Sequence, residues 1–259
     1  MFVSKRPETP VLPTTRGAAA APRASLLTTT PDMIDLAPDC RVPVIWKPSS
    51  RARRLSVRID HRQQALVVTL PSELSSTHAL QFLKKQTRWI TTRLAALQQA
   101  PAFLPGRTIP IEGKPHTIVH QPTAQGGVWI EADQLFVSGA RDFMSRRITD
   151  FLRNHARLIL GQDLRAQAQS SGLRPTRLDI RDTSSRWGSC SSAGRIMLSW
   201  RLVMAPAPVR HYLIAHELAH LRHMNHGPAF WALADQLTPH RHHAEAWLKQ
   251  HGPSLLGAR

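Results

Sequence analysis

The residues with the clearest chemical potential are His216-Glu217-Leu218-Ala219-His220. Side chains four apart on a helix lie one above the other, so the imidazoles of His216 and His220 can reach one metal ion. Glu217, one position on from His216, stays near that ion but outside its ligand set. A general base must sit there to take a proton from metal-bound water. The bland alternative is a histidine-rich surface helix. Leu213, Ile214, Ala215, Leu218, Ala219 and Leu221 argue against it, because they make the segment mostly apolar. Two imidazoles and a carboxylate buried among them would be costly to desolvate without a partner, and zinc is the natural one.

A catalytic zinc takes three protein ligands and leaves the fourth position to water. His223 and His226 are the nearest candidates for the third. If the helix continues, His223 shares the face of His216 and His220. It then stands ~10 Å along the axis from His216, too far for one ion with bonds near ~2.1 Å. His226 falls past the helix end, where Asn225 can adopt a left-handed conformation and Gly227-Pro228 reverses the chain. The gap from His220 to His226 equals that in metzincins, where a turn returns the third His to the metal. His223 stands at the Gly of that pattern, and no Met-turn is evident. His226 is therefore preferred as third ligand, with His223 in the surroundings of the site or on the surface. His240, His242 and His243, which follow Pro239, read as a solvated polar loop.

These residues need a scaffold, and the periodicity outlines one. Pro206 and Pro208 open the helix, which is expected to reach about Met224. Pro228 opens another to Leu237, with Phe230 and Trp231 locking the turn that carries His226 against the core. Ahead of them, residues 186–190 and 196–200 read as a hairpin beside the site, preceded by a short strand at 178–180. Trp187, Cys190 and Trp200 are its packing residues. A long amphipathic helix is predicted over 142–169, stopped by Ser170-Ser171-Gly172.

Further upstream, Leu55, Val57 and Ile59 alternate with polar residues and predict a strand paired with 66–70. One helix follows, through Leu80, Leu83, Ile90, Leu94 and Leu97. Two more hairpins are centred on Gly113 and Asp133. No internal repeat is visible. Residues 1–40, with Pro10, Pro13, Pro22, Pro31 and Pro38 in a Thr/Ala-rich stretch, read as a leader without a fold. The expected outline is α+β: a leader over 1–40, a β-rich subdomain with one helix over 41–140, and a helical subdomain over 141–259. The last carries the His216–His220 helix, with the β-hairpins packed on it.

Composition narrows the functional classes. A 259-residue chain with 42% hydrophobic residues can bury a core, which rules out wholesale disorder. No apolar run is long enough for a membrane span, and the N-terminus has no signal-peptide pattern. Cys40 and Cys190 are too few and too far apart for a disulfide framework, so the expected compartment is the reducing cytoplasm. The net charge is +17, with +8 over residues 51–110 and +6 over residues 171–259. Such a surface attracts polyanions, nucleic acid first among them, although an arginine-rich solvated surface reads the same way.

Several segments together are similar to a known family. They are Arg186-Trp187-Gly188-Ser189-Cys190-Ser191-Ser192, Gly194 to Leu202, Pro206, His216 to His220, Asn225-His226-Gly227-Pro228 and Phe230-Trp231. In order, spacing and wording they resemble the YgjP-like metallopeptidases, close to the SprT-like group. The resemblance covers roughly residues 41 to 250. It implies a zincin-like fold, with His216, His220 and His226 as zinc ligands and Glu217 as the catalytic residue. Ser199 stands where the family usually has Asn. The resemblance supplies no substrate.

The expected activity is zinc-dependent hydrolysis of peptide bonds in a protein or peptide substrate, with one Zn2+ per chain. Glu217 takes a proton from the zinc-bound water and passes it to the leaving amine. Tyr212, one turn before His216, is a speculative oxyanion donor. Two rivals are a nucleic-acid-associated protease that docks through the basic region, and a non-enzymatic, zinc-stabilised binding module. Cys190 as a fourth ligand would close the site to catalysis.

Overall fold

The computed structural model describes residues 32–38, 40–60, 63, 65–183 and 185–259. Of the leader expected over 1–40, residues 1–31 and 39 lie outside the described residues. The described chain forms two compact units that divide between Gln98 and Gln99.

In the first unit, β1 (Asp32–Ala37), β2 (Cys40–Ser49), β3 (Ser56–Asp60) and β4 (Ala65–Pro71) form one sheet in the order β1-β2-β4-β3. The expected β3–β4 hairpin is present, with Val57 opposite Val68 and Ile59 opposite Leu66. β1 was not expected, since it falls within the stretch 1–40 read as a leader. β2 went unread because Pro43 and Pro48 interrupt it, and proline normally demotes a strand. Its inward alternation is nevertheless clear, with Cys40, Val42 and Val44 all buried.

The single helix expected next is two: α1 (Ser76–Lys85) and α2 (Thr87–Gln98). Ser75 caps α1 by accepting from the His78 N–H. At Gln86 the backbone leaves helical geometry, and the Thr87 hydroxyl donates to the Lys84 carbonyl at 2.7 Å. The break lets Leu83, Ile90 and Leu97 pack in one cluster with Val42, Val44, Leu66 and Val68.

The second unit begins with β5 (Thr108–Ile111), β6 (Lys114–Gln121), β7 (Val128–Glu131) and β8 (Gln134–Ser138), in the order β5-β6-β8-β7. Both hairpins fall where the turn signals put them. This sheet repeats the pattern of the first, with two antiparallel hairpins joined through parallel pairing of their second strands. The repeat is topological and leaves no trace in residue identities. Ile109, Ile118 and Leu135 share a core with Ile148, Leu152, Ile214 and Leu218. That common core keeps this sheet in one compact unit with the helices that carry Ile148 and Ile214.

α3 (Met144–Ser171) runs unbroken through the buried Gly161 and buries Ile148, Leu152, Ala156, Leu160 and Leu164 along one stripe. Gly172 ends it in the left-handed conformation, φ 68°. β9 (Arg177–Arg181), β10 (Gly188–Cys190) and β11 (Arg195–Ser199) follow in the order β10-β11-β9, so β10 is an edge strand among the described residues. Trp187 and Trp200 are buried in the core, as their packing assignment anticipated.

A 3₁₀ turn over Trp200–Met204 leads into α4 (Ala207–Ala219), then α5 (Pro228–Leu237) and α6 (Arg241–Leu256). α4 stops at Ala219 and does not reach Met224. The stretch read as a loop at His240 is the start of α6: His240 caps the helix, and His242 and His243 lie exposed on its first turn. No helix among the described residues is long and apolar enough to cross a membrane. The result is a mixed α+β chain, β-rich in its N-terminal half and helical in its C-terminal half.

Two devices fix the start of α4. The β5–β6 turn donates from Glu112 N and Gly113 N to the carbonyls of Val203 and Met204. A Cβ on Gly113 would come within 2.8 Å of the Pro206 side chain, and φ is +80° there, so glycine is required twice over. In the second device, the Arg210 side chain is buried and ion-paired with Asp163 at 3.0 Å and Glu112 at 3.3 Å. It also donates to the Ala205 carbonyl at 3.1 Å. Burial acts to raise the Asp163 carboxyl, but hydrogen bonds from His211 and Arg210 outweigh it and hold the group below its ordinary value.

Arg210→Ala removes the guanidinium from Asp163 and Glu112 and leaves them only His211 and His155 among the described residues. It is expected to cost about 3–5 kcal/mol in urea unfolding, and a loss under 1 kcal/mol would contradict this role. The Asp163 contribution is complete above the ordinary carboxylate value, about pH 3.9. It is lost as pH falls through the lower folded value. Asp163→Asn should therefore flatten the acid limb of the stability–pH curve.

Candidate metal centre

α4 is apolar on nearly every side, and His216 and Glu217 are buried within it. His220 is its C-terminal cap. The chain then tightens, with Leu221 N donating to Leu218 O and both Arg222 N and His223 N donating to Ala219 O. Gly227 N donates back to Asn225 O, and Pro228 starts α5. This reversal returns His226 to the face of α4. Its Nε2 lies 3.1 Å from His216 Nε2, and one ring nitrogen from each of His216, His220 and His226 falls within 4.8 Å of the others. Two nitrogens on one tetrahedral zinc stand ~3.3 Å apart for bonds of ~2.05 Å, so this donor set fits a metal ion.

The tautomers fit as well. His220 Nδ1 faces the His223 carbonyl at 3.1 Å, which holds the proton there and frees Nε2. His223 thus contributes through its backbone, and the end of α4 at Ala219 takes it off the helical column. Burial lowers the His216 pKa to about 3, with the neighbouring His220 and His226 adding to the effect. Burial also lowers His220 and His226. All three rings are therefore held neutral, the state a metal ligand needs.

Glu217 sits beside this cluster, with its carboxyl raised to about 8 by burial against a weaker opposing pull from Arg186. Its Oε2 is buried without a hydrogen-bond partner among the described residues. β10 passes so close that a Cβ on Gly188 would lie 2.8 Å from the Glu217 Cγ and Cδ. Cys190 is not one of the clustered donors, and its thiol is pushed up to about 11 by burial and then by the Glu217 charge. Ser199 Oγ, at the position where the resembled family usually has Asn, is buried without a hydrogen-bond partner among the described residues.

An aromatic frame surrounds the imidazoles. Phe230 packs on all three rings, with centroids 4.6–5.0 Å away. Trp231 contacts His216 and His226, and the Arg241 guanidinium lies 3.8 Å over its ring. Arg241 pairs with Asp235 at 3.0 Å and Glu245 at 3.3 Å. The Tyr212 hydroxyl, the speculative oxyanion donor, donates to Glu245 at 2.8 Å. Sequence reasoning missed Arg241 and Glu245, whose spacing of four was a helical-pair signal, and the close approach of Gly188. His240, His242 and His243 are not brought to the cluster.

Three neutral imidazoles beside a buried carboxylate define a protein equipped to bind a divalent metal. The chain belongs to the YgjP-like family, whose metallopeptidase domain matches residues 53–251. Its activity is accordingly that of a metallopeptidase acting on peptides. No match was found among curated proteins or among solved structures.

Gly188→Ala is expected to push the Glu217 carboxyl aside while leaving the three histidines in place. The overpacking should cost about 1–3 kcal/mol in urea unfolding. Unchanged stability would show that the space beside Glu217 is looser than described.

Proposed function

We propose that this protein is a zinc-dependent peptidase of zincin-like fold. His216, His220 and His226 hold one zinc per chain, and Glu217 is the catalytic residue. The observation that carries this reading is the convergence of three neutral imidazoles next to a buried, unpartnered carboxylate oxygen. Zinc at such a site supplies Lewis acidity, polarising a carbonyl and lowering the pKa of water toward ~7.

The chain's own residues do the rest. Glu217 accepts a proton from the attacking water at Oε2 and hands it to the leaving amine. Gly188 gives this carboxylate its room. β10, an edge strand beside α4, offers backbone groups to an extended peptide. Phe230 and Trp231 hold the His226 turn so that the donor set is formed before metal arrives. The free thiols of Cys40 and Cys190 suit a cytoplasmic location.

Purified protein should carry about one zinc per chain by elemental analysis. Glu217→Gln should retain it while hydrolysis of an unfolded protein falls by roughly 10²-fold or more. His226→Ala should lose both metal and hydrolysis. A Glu217→Gln protein that cleaves at the wild-type rate would refute the catalytic assignment. If neither protein cleaves and chelation merely unfolds the chain, the metal is structural.

A further inference from the structure

A groove leads away from the histidine cluster, and its charge has no counterpart in the peptidase reading. His220 lines one end of a cavity of about 430 Å³ whose walls include Ser191 and Ser192 of the β10–β11 turn, together with Arg222 and Arg174. A second cavity of about 590 Å³ shares Gly172, Leu173 and Arg174 with it and extends along α3 past Arg165. No acidic side chain among the described residues lines either cavity.

The arginines differ from their neighbours in how they are satisfied. Arg177, which also lines the second cavity, and Arg195 both pair with Asp179, and Arg201 pairs with Asp182. Arg174, Arg222 and Arg165 are exposed, and none of them has an ion pair among the described residues. Surface arginines whose neighbours include carboxylates usually recruit one. Arg222, Arg174 and Arg165 line two adjoining cavities with no ion pair of their own among the described residues, which leaves a positive field focused in a cleft. A guanidinium presents a planar fork matched to a carboxylate.

We infer that this groove is a recognition channel for acidic polypeptide, with Arg222 and Arg174 binding Asp or Glu carboxylates flanking the bond presented at the histidine cluster. The inference rests on the peptidase reading for the identity of the occupant, because the groove begins at His220 and runs beside the β10–β11 turn. It adds the class of substrate. Nucleic acid has the right charge, but the first cavity is lined by His220 of the candidate peptide-cleaving centre and by the turn after β10, an edge strand suited to peptide backbone. Among the described residues no Phe, Tyr or Trp lines either cavity to stack a base.

Binding is measured on full-length Glu217→Gln protein loaded with zinc, by fluorescence anisotropy at two salt concentrations. The probes are labelled peptides of equal length with acidic, neutral or basic flanks, and a single-stranded oligonucleotide of equal charge. The acidic peptide should bind at least about tenfold tighter than the basic one, and the preference should weaken with salt. Arg174→Glu/Arg222→Glu should reverse the order, whereas Arg146→Glu, at the far end of α3, should leave it intact. Arg174→Gln/Arg222→Gln, which should abolish the preference without reversing it, guards against misfolding of the charge-reversed protein.

Equal binding of all peptides, or a preference indifferent to both arginines, overturns the inference. So does tighter binding of the oligonucleotide through the same arginines, which would assign the groove to nucleic acid. If acidic peptides bind through the arginines but the wild-type protein cleaves none of them, the channel stands and the peptidase reading falls.

Discussion

Everything around the candidate centre answers one cost, the desolvation of three imidazoles and a carboxylate in an apolar interior. α4 buries His216 and Glu217 as deeply as its leucines. Water cannot satisfy them there, so their surroundings must. The His223 carbonyl takes the His220 Nδ1 proton, and the aromatic frame of Phe230 and Trp231 excludes solvent from the ring faces. His216 Nδ1 and Glu217 Oε2 remain without partners among the described residues. His216 turns its Nε2 to the cluster, so its Nδ1 is not the nitrogen offered to a metal; Glu217 Oε2 is the atom that the proposed reacting water would satisfy.

Two networks hold α4 in this arrangement. At its start, Arg210 ties the helix to Asp163 of α3 and Glu112 of the β5–β6 turn. Midway along it, the Tyr212 hydroxyl donates to Glu245, which pairs with Arg241 of α6, itself stacked on Trp231. Each network is anchored by a charged hydrogen bond in a half-buried setting, where such bonds are stronger than at the surface. The helix is thereby fixed along its axis and in rotation, and three nitrogens from two segments can meet within a few ångströms.

The positive charge divides into two kinds. Part of it is spent within the fold, where Arg153, Arg177, Arg195, Arg201, Arg210 and Arg241 all meet acids. Arg174, Arg222 and Arg165 form no such pairs among the described residues and line the groove that starts at His220. Net charge alone pointed to polyanions in general. The location of unpaired guanidinium groups beside a peptide-accepting centre narrows the class to acidic polypeptide.

Much of this was legible from residue order. The spacing of His216 and His220, the turn-forming Asn225-Gly227-Pro228 around His226, and the alternating strands of both hairpin pairs are local patterns, and local geometry decides them. Other features were hidden. β2 disguised itself with prolines, the helix break at Gln86 follows from packing on a shared sheet, and the repeated sheet topology arises from parallel pairings between strands distant in sequence. The identities and spacing of the histidines were enough to nominate a metal centre, because a helix and a turn carry that information within a dozen residues. Only the tertiary structure could bring Gly188 against Glu217 and Arg174 into one cavity with Arg222, because each meeting joins segments whose distance in sequence says nothing of their distance in space.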